Sequence, residues 1–229
     1  MKKTLVFGAH GSIGKYIIES FQNDNRNVIG TTTNKSIHSQ TCIYVDNYNL
    51  DNLNTIINQS IDTIVWCQGV NFNDTIDTFN YDNFNKIIEG NVSFILNTLH
   101  YLLDKNKIVD GAKMVIISSI WEEFTRENKL SYSISKSALS GLVKNIAYDL
   151  SKRNILINNV LPGVIDNEMS RKTLNIDQIE YIKNYMNFNR LIDLDDVYRT
   201  VKFLVTENTG ITGQSIKVDL GFTNLRKYN

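Results

Sequence analysis

Thr4-Leu-Val-Phe-Gly8-Ala-His-Gly11-Ser-Ile-Gly14-Lys15-Tyr-Ile-Ile-Glu-Ser-Phe21 decides the fold. The run before Gly8 is short and apolar, as a buried strand is. Gly8, Gly11 and Gly14 then crowd into a turn, and from Lys15 to Phe21 the apolar residues recur at helical spacing. Strand, glycine turn and helix in that order point backbone N–H groups at a pyrophosphate. A glycine pattern alone also fits a purely structural turn, so the rest of the chain must decide between the two.

Outward from that stretch, strands and helices alternate. Strands are expected at 3–8, 27–32, 42–45, 62–67, 112–118, 154–160 and 214–219, and helices at 13–23, 49–59, 81–104, 131–151 and 194–206, with a further helical stretch near 175–187. Such alternation predicts an α/β fold: a Rossmann-type, doubly wound parallel sheet of about seven strands with helices on both faces. With 229 residues and no repeat or linker, the chain is expected to be one domain over 1–229, with a substrate-loop segment at about 168–190.

Tyr132 and Lys136 open the helix expected at 131–151 and stand four residues apart. That spacing puts both side chains on one helical face, about one turn apart. A cation held near a phenol favours the phenolate, so the pair is expected to exchange a proton closer to neutral pH than a free tyrosine does. A carbonyl accepting hydride needs such a proton donor. Farther along the helix Leu139, Leu142, Val143, Ile146, Ala147 and Leu150 form an apolar face that should pack on the sheet.

These motifs together resemble the short-chain dehydrogenase/reductase family, and within it the compact 3-oxoacyl-carrier-protein-reductase-like type. Gly8-Ala-His-Gly-Ser-Ile-Gly14 resembles the family's cofactor loop. Ser119 lies 13 residues before Tyr132, the family's interval between catalytic serine and tyrosine; Ser118 is its neighbour at the wrong interval. Asn91 matches the helix asparagine of the family's tetrad, Pro162-Gly163 follows the expected strand, and Ile211 to Asp219 resembles the C-terminal strand signature. The resemblance implies an oxidoreductase in which Tyr132 is the acid, Ser119 orients the substrate carbonyl, Lys136 lowers the Tyr132 pKa and bonds the nicotinamide ribose, and Asn91 holds a water that relays protons to Lys136. It also implies cofactor contacts from Gly8, Gly11, Ser12, Ile13, Gly14, Thr33, Asp46, Gly69, Tyr132, Lys136, Pro162, Ile165 and Asn167. The chain departs from the pattern at Ser12, at Asn167 after Pro-Gly, and at Trp66-Cys-Gln-Gly69, where Gln68 stands in for an asparagine that braces the central strands.

The dinucleotide is read from the end of the second strand. A carboxylate there would bond both ribose hydroxyls of NAD. This chain has Thr31-Thr-Thr33-Asn34-Lys35 and no acid, so NADP(H) is favoured and NAD(H) stays open. Gly11, where many NADP users carry a base, argues the other way.

Net charge is zero, so no basic field draws nucleic acid or an anionic membrane. No apolar run approaches the ~20 residues of a membrane span, and the Met1-Lys-Lys start shows no signal-peptide core. A cytoplasmic location is therefore expected. Cys42 and Cys67 read as buried thiols rather than a disulfide, and His10, His38 and His100 lack ligand spacing, so no metal is expected.

The expected partner is a small carbonyl or alcohol substrate, and family habit implies a homodimer or homotetramer. Met169, Tyr181, Tyr185, Met186 and Phe188 either line a pocket or pack a lid. Glu122, Glu123 and Arg126 read either as contacts to a polar substrate such as a keto-sugar or, preferably, as a solvated loop. An NADP(H)-dependent ketone reductase, an NAD-dependent sugar or polyol dehydrogenase, and a non-catalytic dinucleotide-binding regulator are the three functions this sequence admits.

Overall fold

The computed structural model describes residues 3–36, 42–45, 49–57, 60–165, 176–185 and 188–225. Seven strands form one sheet, in the order β3-β2-β1-β4-β5-β6-β7. They are β1 (Lys3–Phe7), β2 (Asn27–Thr32), β3 (Cys42–Tyr44), β4 (Ile61–Trp66), β5 (Ile108–Ile117), β6 (Leu156–Pro162) and β7 (Ser215–Val218), and every pairing is parallel. The helices are α1 (Ser12–Asn23), α2 (Asp51–Ile56), α3 (Tyr81–Ile88), α4 (Phe94–Asp104), α5 (Leu130–Asp149), α6 (Ile176–Tyr185) and α7 (Leu194–Thr206).

Continuous apolar runs make these strands because both faces of the sheet are covered. Alternate residues of each run go to opposite cores. Leu5, Phe7, Ile64, Trp66, Met114 and Ile116 join Phe94, Leu99, Leu139 and Val143 from α4 and α5. Val6, Val65, Val115 and Ile117 join Ile17 and Phe21 from α1 and Val201 and Leu204 from α7. Phe7 stacks on Trp66 at 5.7 Å between ring centres and meets Phe94 edge-on at 5.5 Å. Burying an aromatic ring of this kind stabilises the fold by about 2–3 kcal/mol.

The strand order reverses direction at β1, between β2 and β4, which opens a crevice at the carboxyl ends of the strands. Register sets Phe7 beside Trp66 and Trp66 beside Ile116, so the chain leaves β1, β4 and β5 at one edge.

Three expectations about elements are corrected. β5 begins earlier than expected, at Ile108, with a register shift against β4 between Ile61 and Thr63. β6 runs on to Pro162, where the next ladder bond is donated by Gly163 N to the Val218 carbonyl at 2.8 Å. The single helix expected at 81–104 is interrupted by a π turn, Glu89–Ser93, between α3 and α4.

Cys42 and Cys67 form no disulfide, and both are half-buried rather than fully buried. Among the described residues no helix is long and apolar enough to cross a membrane, and no cluster of three His, Cys, Asp or Glu could hold a metal ion.

Candidate functional site

The glycine turn leaves β1 at Phe7 and enters α1 at Ser12. Gly8 sits at φ +76°, and a Cβ there would stand 2.5 Å from the Gln68 nitrogen. A Cβ on Gly14 would stand 2.2 Å from the Gly8 carbonyl oxygen. Only glycine lets α1 approach the β1–β4 edge this closely. Gly11 differs: its Cβ would meet only the Gly8 oxygen, at the ordinary distance of 3.5 Å, so packing does not explain it. Gly11 and Ser12 are exposed and Ile13 half-exposed at the start of α1, whose N-cap makes no side-chain hydrogen bond. Uncapped N–H groups under a bare backbone are what a pyrophosphate requires. The turn therefore fits a dinucleotide.

Thr33 is exposed just past β2, where the Thr32 hydroxyl accepts the Asn34 N–H at 3.1 Å. Lys35 lies over the face of Tyr44, 5.6 Å from its centre. Gly69 is exposed in the loop after β4; a Cβ there would be 3.5 Å from Asn91 Oδ1 and 3.9 Å from Lys136 Nζ. Pro162 ends β6, and Ile165, buried, bridges to Ile192. Asp46, Asn167, Met169 and Met186 lie outside the described residues. Gln68 does not brace the central strands: both of its amide atoms are buried without a partner.

Asn91 occupies the π turn and is 1 % exposed. Its Oδ1 accepts the Val70 N–H at 2.6 Å, and its Nδ2 donates to the Val70 carbonyl and the Ser135 hydroxyl, each at 2.9 Å. Ser135 in turn donates to the Tyr132 carbonyl at 2.7 Å. The side chain expected to carry a relay water is thus already engaged, as a clamp between the post-β4 loop and the first turns of α5.

Ser119 follows the end of β5 and caps a 3₁₀ turn, Ile120–Glu122, by accepting the Trp121 N–H at 3.3 Å. Its hydroxyl lies close enough to the Tyr132 side chain to favour the phenolate without forming an aligned bond. Lys136 is buried, donates to the Ile117 carbonyl at 3.2 Å, and lies 5.6 Å from the centre of the Tyr132 ring. Ser119, Tyr132, Lys136 and Asn91 therefore converge at the carboxyl edge of the sheet, beside Gly69.

The electrostatics differ from the expectation that Lys136 lowers the Tyr132 pKa. Burial pushes the Tyr132 phenol up to about 12, and the nearby Ser119 hydroxyl offsets only part of that. Burial lowers Lys136 to about 8, against the attraction of Glu122. The reason is geometric: the ammonium bonds a backbone carbonyl and faces the ring, so desolvation outweighs it at the hydroxyl.

Two site residues were missed in the sequence, and a third, Glu122, was preferably read as part of a solvated loop. Asp74, from the post-β4 loop, accepts both the Ser131 N–H at 3.0 Å and the Ser131 hydroxyl, and so caps α5 from outside the helix. The absence of a capping residue before Leu130 was the available signal. Lys129 is buried, donates to Asn71 Oδ1 at 3.0 Å and Asn73 Oδ1 at 2.8 Å, and lies 5.5 Å from the Tyr132 ring centre on its other flank. Desolvation, aided by Arg126, lowers it to about 8. Glu122, expected in a solvated loop, is 6 % exposed. No sequence signal marks its burial.

A family model described as enoyl-(acyl carrier protein) reductase matches residues 8–223. Among curated proteins, the chain is 36 % identical over 114 residues to pig dehydrogenase/reductase SDR family member 4, covering 48 % of this chain and 40 % of that protein. It is 29 % identical to the 3-oxoacyl-acyl-carrier-protein reductase of Rickettsia conorii, over 96 % of both chains. Among solved structures, the aldohexose dehydrogenase of Thermoplasma acidophilum matches with a TM-score of 0.88 and 25 % identity, over 100 % of this chain and 96 % of the other.

Proposed function

Because the chain belongs to the short-chain dehydrogenase/reductase family, we propose that it is an NADP(H)-dependent oxidoreductase that reduces a ketone to a secondary alcohol, or runs the reverse. The observation that carries this reading is the convergence of Ser119, Tyr132 and Lys136 at the sheet edge next to the glycine turn. The bound nicotinamide would supply the hydride.

The chain's own groups do the rest. A carbonyl oxygen between the Ser119 and Tyr132 hydroxyls accepts two hydrogen bonds that strengthen as it gains negative charge. Tyr132 then gives up its proton. The α5 N-terminus favours the phenolate left behind. Gly11 and the α1 N-terminus would hold the pyrophosphate, with Gly8, Ser12, Ile13 and Gly14 shaping the turn. Thr33 and Lys35, exposed past β2 where no carboxylate stands, would take a ribose 2′-phosphate, and we therefore favour NADP(H) over NAD(H). Gly69 lets the backbone pass the adenosine, and Pro162 and Ile165 bound the nicotinamide side; Asp46 and Asn167 are assigned by resemblance alone. Exposed Leu96, Ile134 and Tyr148 on α4 and α5 support pairing with a second copy.

Tyr132→Phe tests the reading. Turnover of a ketone panel, followed by nicotinamide absorbance, should fall about 10²–10⁴-fold. NADPH affinity, followed by fluorescence titration, should change by less than about threefold. Near-normal turnover would remove Tyr132 from its role, and tighter NADH than NADPH binding would reverse the cofactor assignment. The similarity to an aldohexose dehydrogenase keeps the sugar dehydrogenase as the second reading, so aldoses belong in the panel.

A further inference from the structure

The residue just before α5 is a buried lysine. Lys129 holds the N-cap position and is 3 % exposed. Its Nζ donates to Asn71 Oδ1 at 3.0 Å and to Asn73 Oδ1 at 2.8 Å, both from the loop after β4. It stands 5.5 Å from the centre of the Tyr132 ring, as near as Lys136 at 5.6 Å. An ammonium carries three N–H donors, so two amide oxygens leave one of them over. Asn73 is exposed, and an incoming group therefore reaches the ammonium by moving that side chain rather than by opening the core.

A neutral donor would tie this loop to α5 at less cost. Three features disfavour a cation in this place. Burial strips its hydration. The N-terminal end of a helix carries partial positive charge. Arg126, from the turn that leads into α5, is a like charge; its guanidinium packs 5.7 Å from the Trp121 ring centre and forms no ion pair among the described residues. The carboxylate on the same loop gives little relief. Asp74 accepts the Ser131 N–H and the Ser131 hydroxyl, one on each oxygen, and it forms no ion pair with Lys129. Glu127 is exposed, and its charge acts on Arg126. The helix end, Arg126 and Lys129 together favour an anion beside Tyr132.

We propose that Lys129 is a specificity-determining residue: its ammonium binds the carboxylate of a short-chain oxo-acid substrate whose ketone oxygen lies between the Ser119 and Tyr132 hydroxyls. This rests on the reading of Ser119 and Tyr132 as the pair that holds the carbonyl. A carboxylate fits better than a sugar hydroxyl, because a buried charge is offset by an opposite charge and not by a neutral group. The short distance to the Tyr132 ring favours an acid whose two functional groups lie close together.

Reduction of pyruvate, acetoacetate and levulinate, each against its methyl ester, tests the assignment. In the wild type, kcat/KM for at least one acid should exceed that for its ester by about tenfold or more. Lys129→Met should lower kcat/KM for that acid by about 10–100-fold, mainly through KM, and leave the esters within about threefold. Lys129→Arg, which keeps the charge, should recover part of the loss. A wild type that prefers no acid to its ester overturns the proposal without any variant, and so does an equal loss on acid and ester in Lys129→Met, the mark of a purely structural tie. Lys129→Gln replaces Lys129→Met if the latter does not fold. If the wild type reduces no ketone at all, the functional reading fails separately, and calorimetric titration with levulinate judges Lys129. Binding that is lost in Lys129→Met supports the anion site; equal binding, or none in the wild type, overturns it.

Discussion

At the residue scale the site holds charge where folding disfavours it. Lys136 and Lys129 are both buried and both lowered to about 8 by desolvation. A lysine lowered in the folded state penalises folding below about pH 8, because the chain must bury a charged amine. Between about 8 and the ordinary value near 10.5 the unfolded chain binds more protons, so stability rises with pH across that window. Tyr132 acts in the opposite sense. Its pKa is raised to about 12, so stability falls from about pH 10 upward as the unfolded phenol ionises first. Lys136→Met should therefore stabilise the protein at pH 7 by about 1–3 kcal/mol, the upper end being the shift converted at 1.36 kcal/mol per unit and the lower allowing for the lost bond to Ile117. The gain should shrink toward pH 10, and the variant should be inactive. Urea unfolding at pH 7 and 9.5 checks the sign. A variant equally or less stable at pH 7 would show that Lys136 is not strained by burial. Stability sacrificed for an active group is common at functional sites.

At the element scale, much was legible and the rest was hidden for identifiable reasons. The strands could be read because most carry short apolar runs between turn residues, and the glycine turn because Gly8 and Gly14 admit no side chain. The π turn could not. Tyr81 to Asp104 keeps helical periodicity, and one extra residue per turn leaves no trace in a pattern that is only approximate. Glu122 was read as solvated because a charged residue after a strand usually is; its donors, Asn159 and Ser215, arrive from strands far along the chain. Asparagine is abundant in this chain, and part of it has a local role: Asn25, Asn106, Asn128, Asn154 and Asn189 take the left-handed backbone that most helices and turns assign to glycine. The π turn itself carries a prediction. Asn91→Ala removes three hydrogen bonds and leaves Val70 and Ser135 without these partners. Stability should fall by about 2–3 kcal/mol. Because Val70 adjoins Gly69, NADPH affinity should weaken as well, by about tenfold. Urea unfolding and fluorescence titration of the same preparation measure both. A large stability loss with unchanged affinity would confine the clamp to holding α5.

At the scale of the whole molecule, the two ends of the sheet do different work. The carboxyl edge carries exposed glycines, an uncapped helix and buried ionisable groups, all of which weaken the fold. The amino edge is cross-tied. Arg26, just before β2, donates to Thr4 on β1 at 3.1 Å and to Asp62 and Thr63 on β4 at 3.2 and 2.8 Å, and its guanidinium lies 5.1 Å from the Phe21 ring centre. Asp62 also accepts the Lys3 backbone N–H at 2.5 Å. These bonds join the strands on either side of the crevice at the end farthest from it. The division predicts a variant that loses stability without losing chemistry. Arg26→Met keeps an apolar stem against Phe21 but removes the fork. It leaves Thr4 and Thr63, each 1 % exposed or less, without the guanidinium and Asp62 without its countercharge. Unfolding free energy should drop by about 2–4 kcal/mol, at the lower end if water reaches the partly exposed Asp62. In the fraction that remains folded, kcat/KM should stay within about twofold of wild type, because no atom of the Ser119–Tyr132–Lys136 group touches this network. Urea unfolding at neutral pH gives the first quantity, and rates well below the denaturation midpoint give the second. A matching fall in kcat/KM under conditions where the variant is fully folded would mean that the pitch of β1 against β4, set at the amino edge, is transmitted along both strands to the glycine turn.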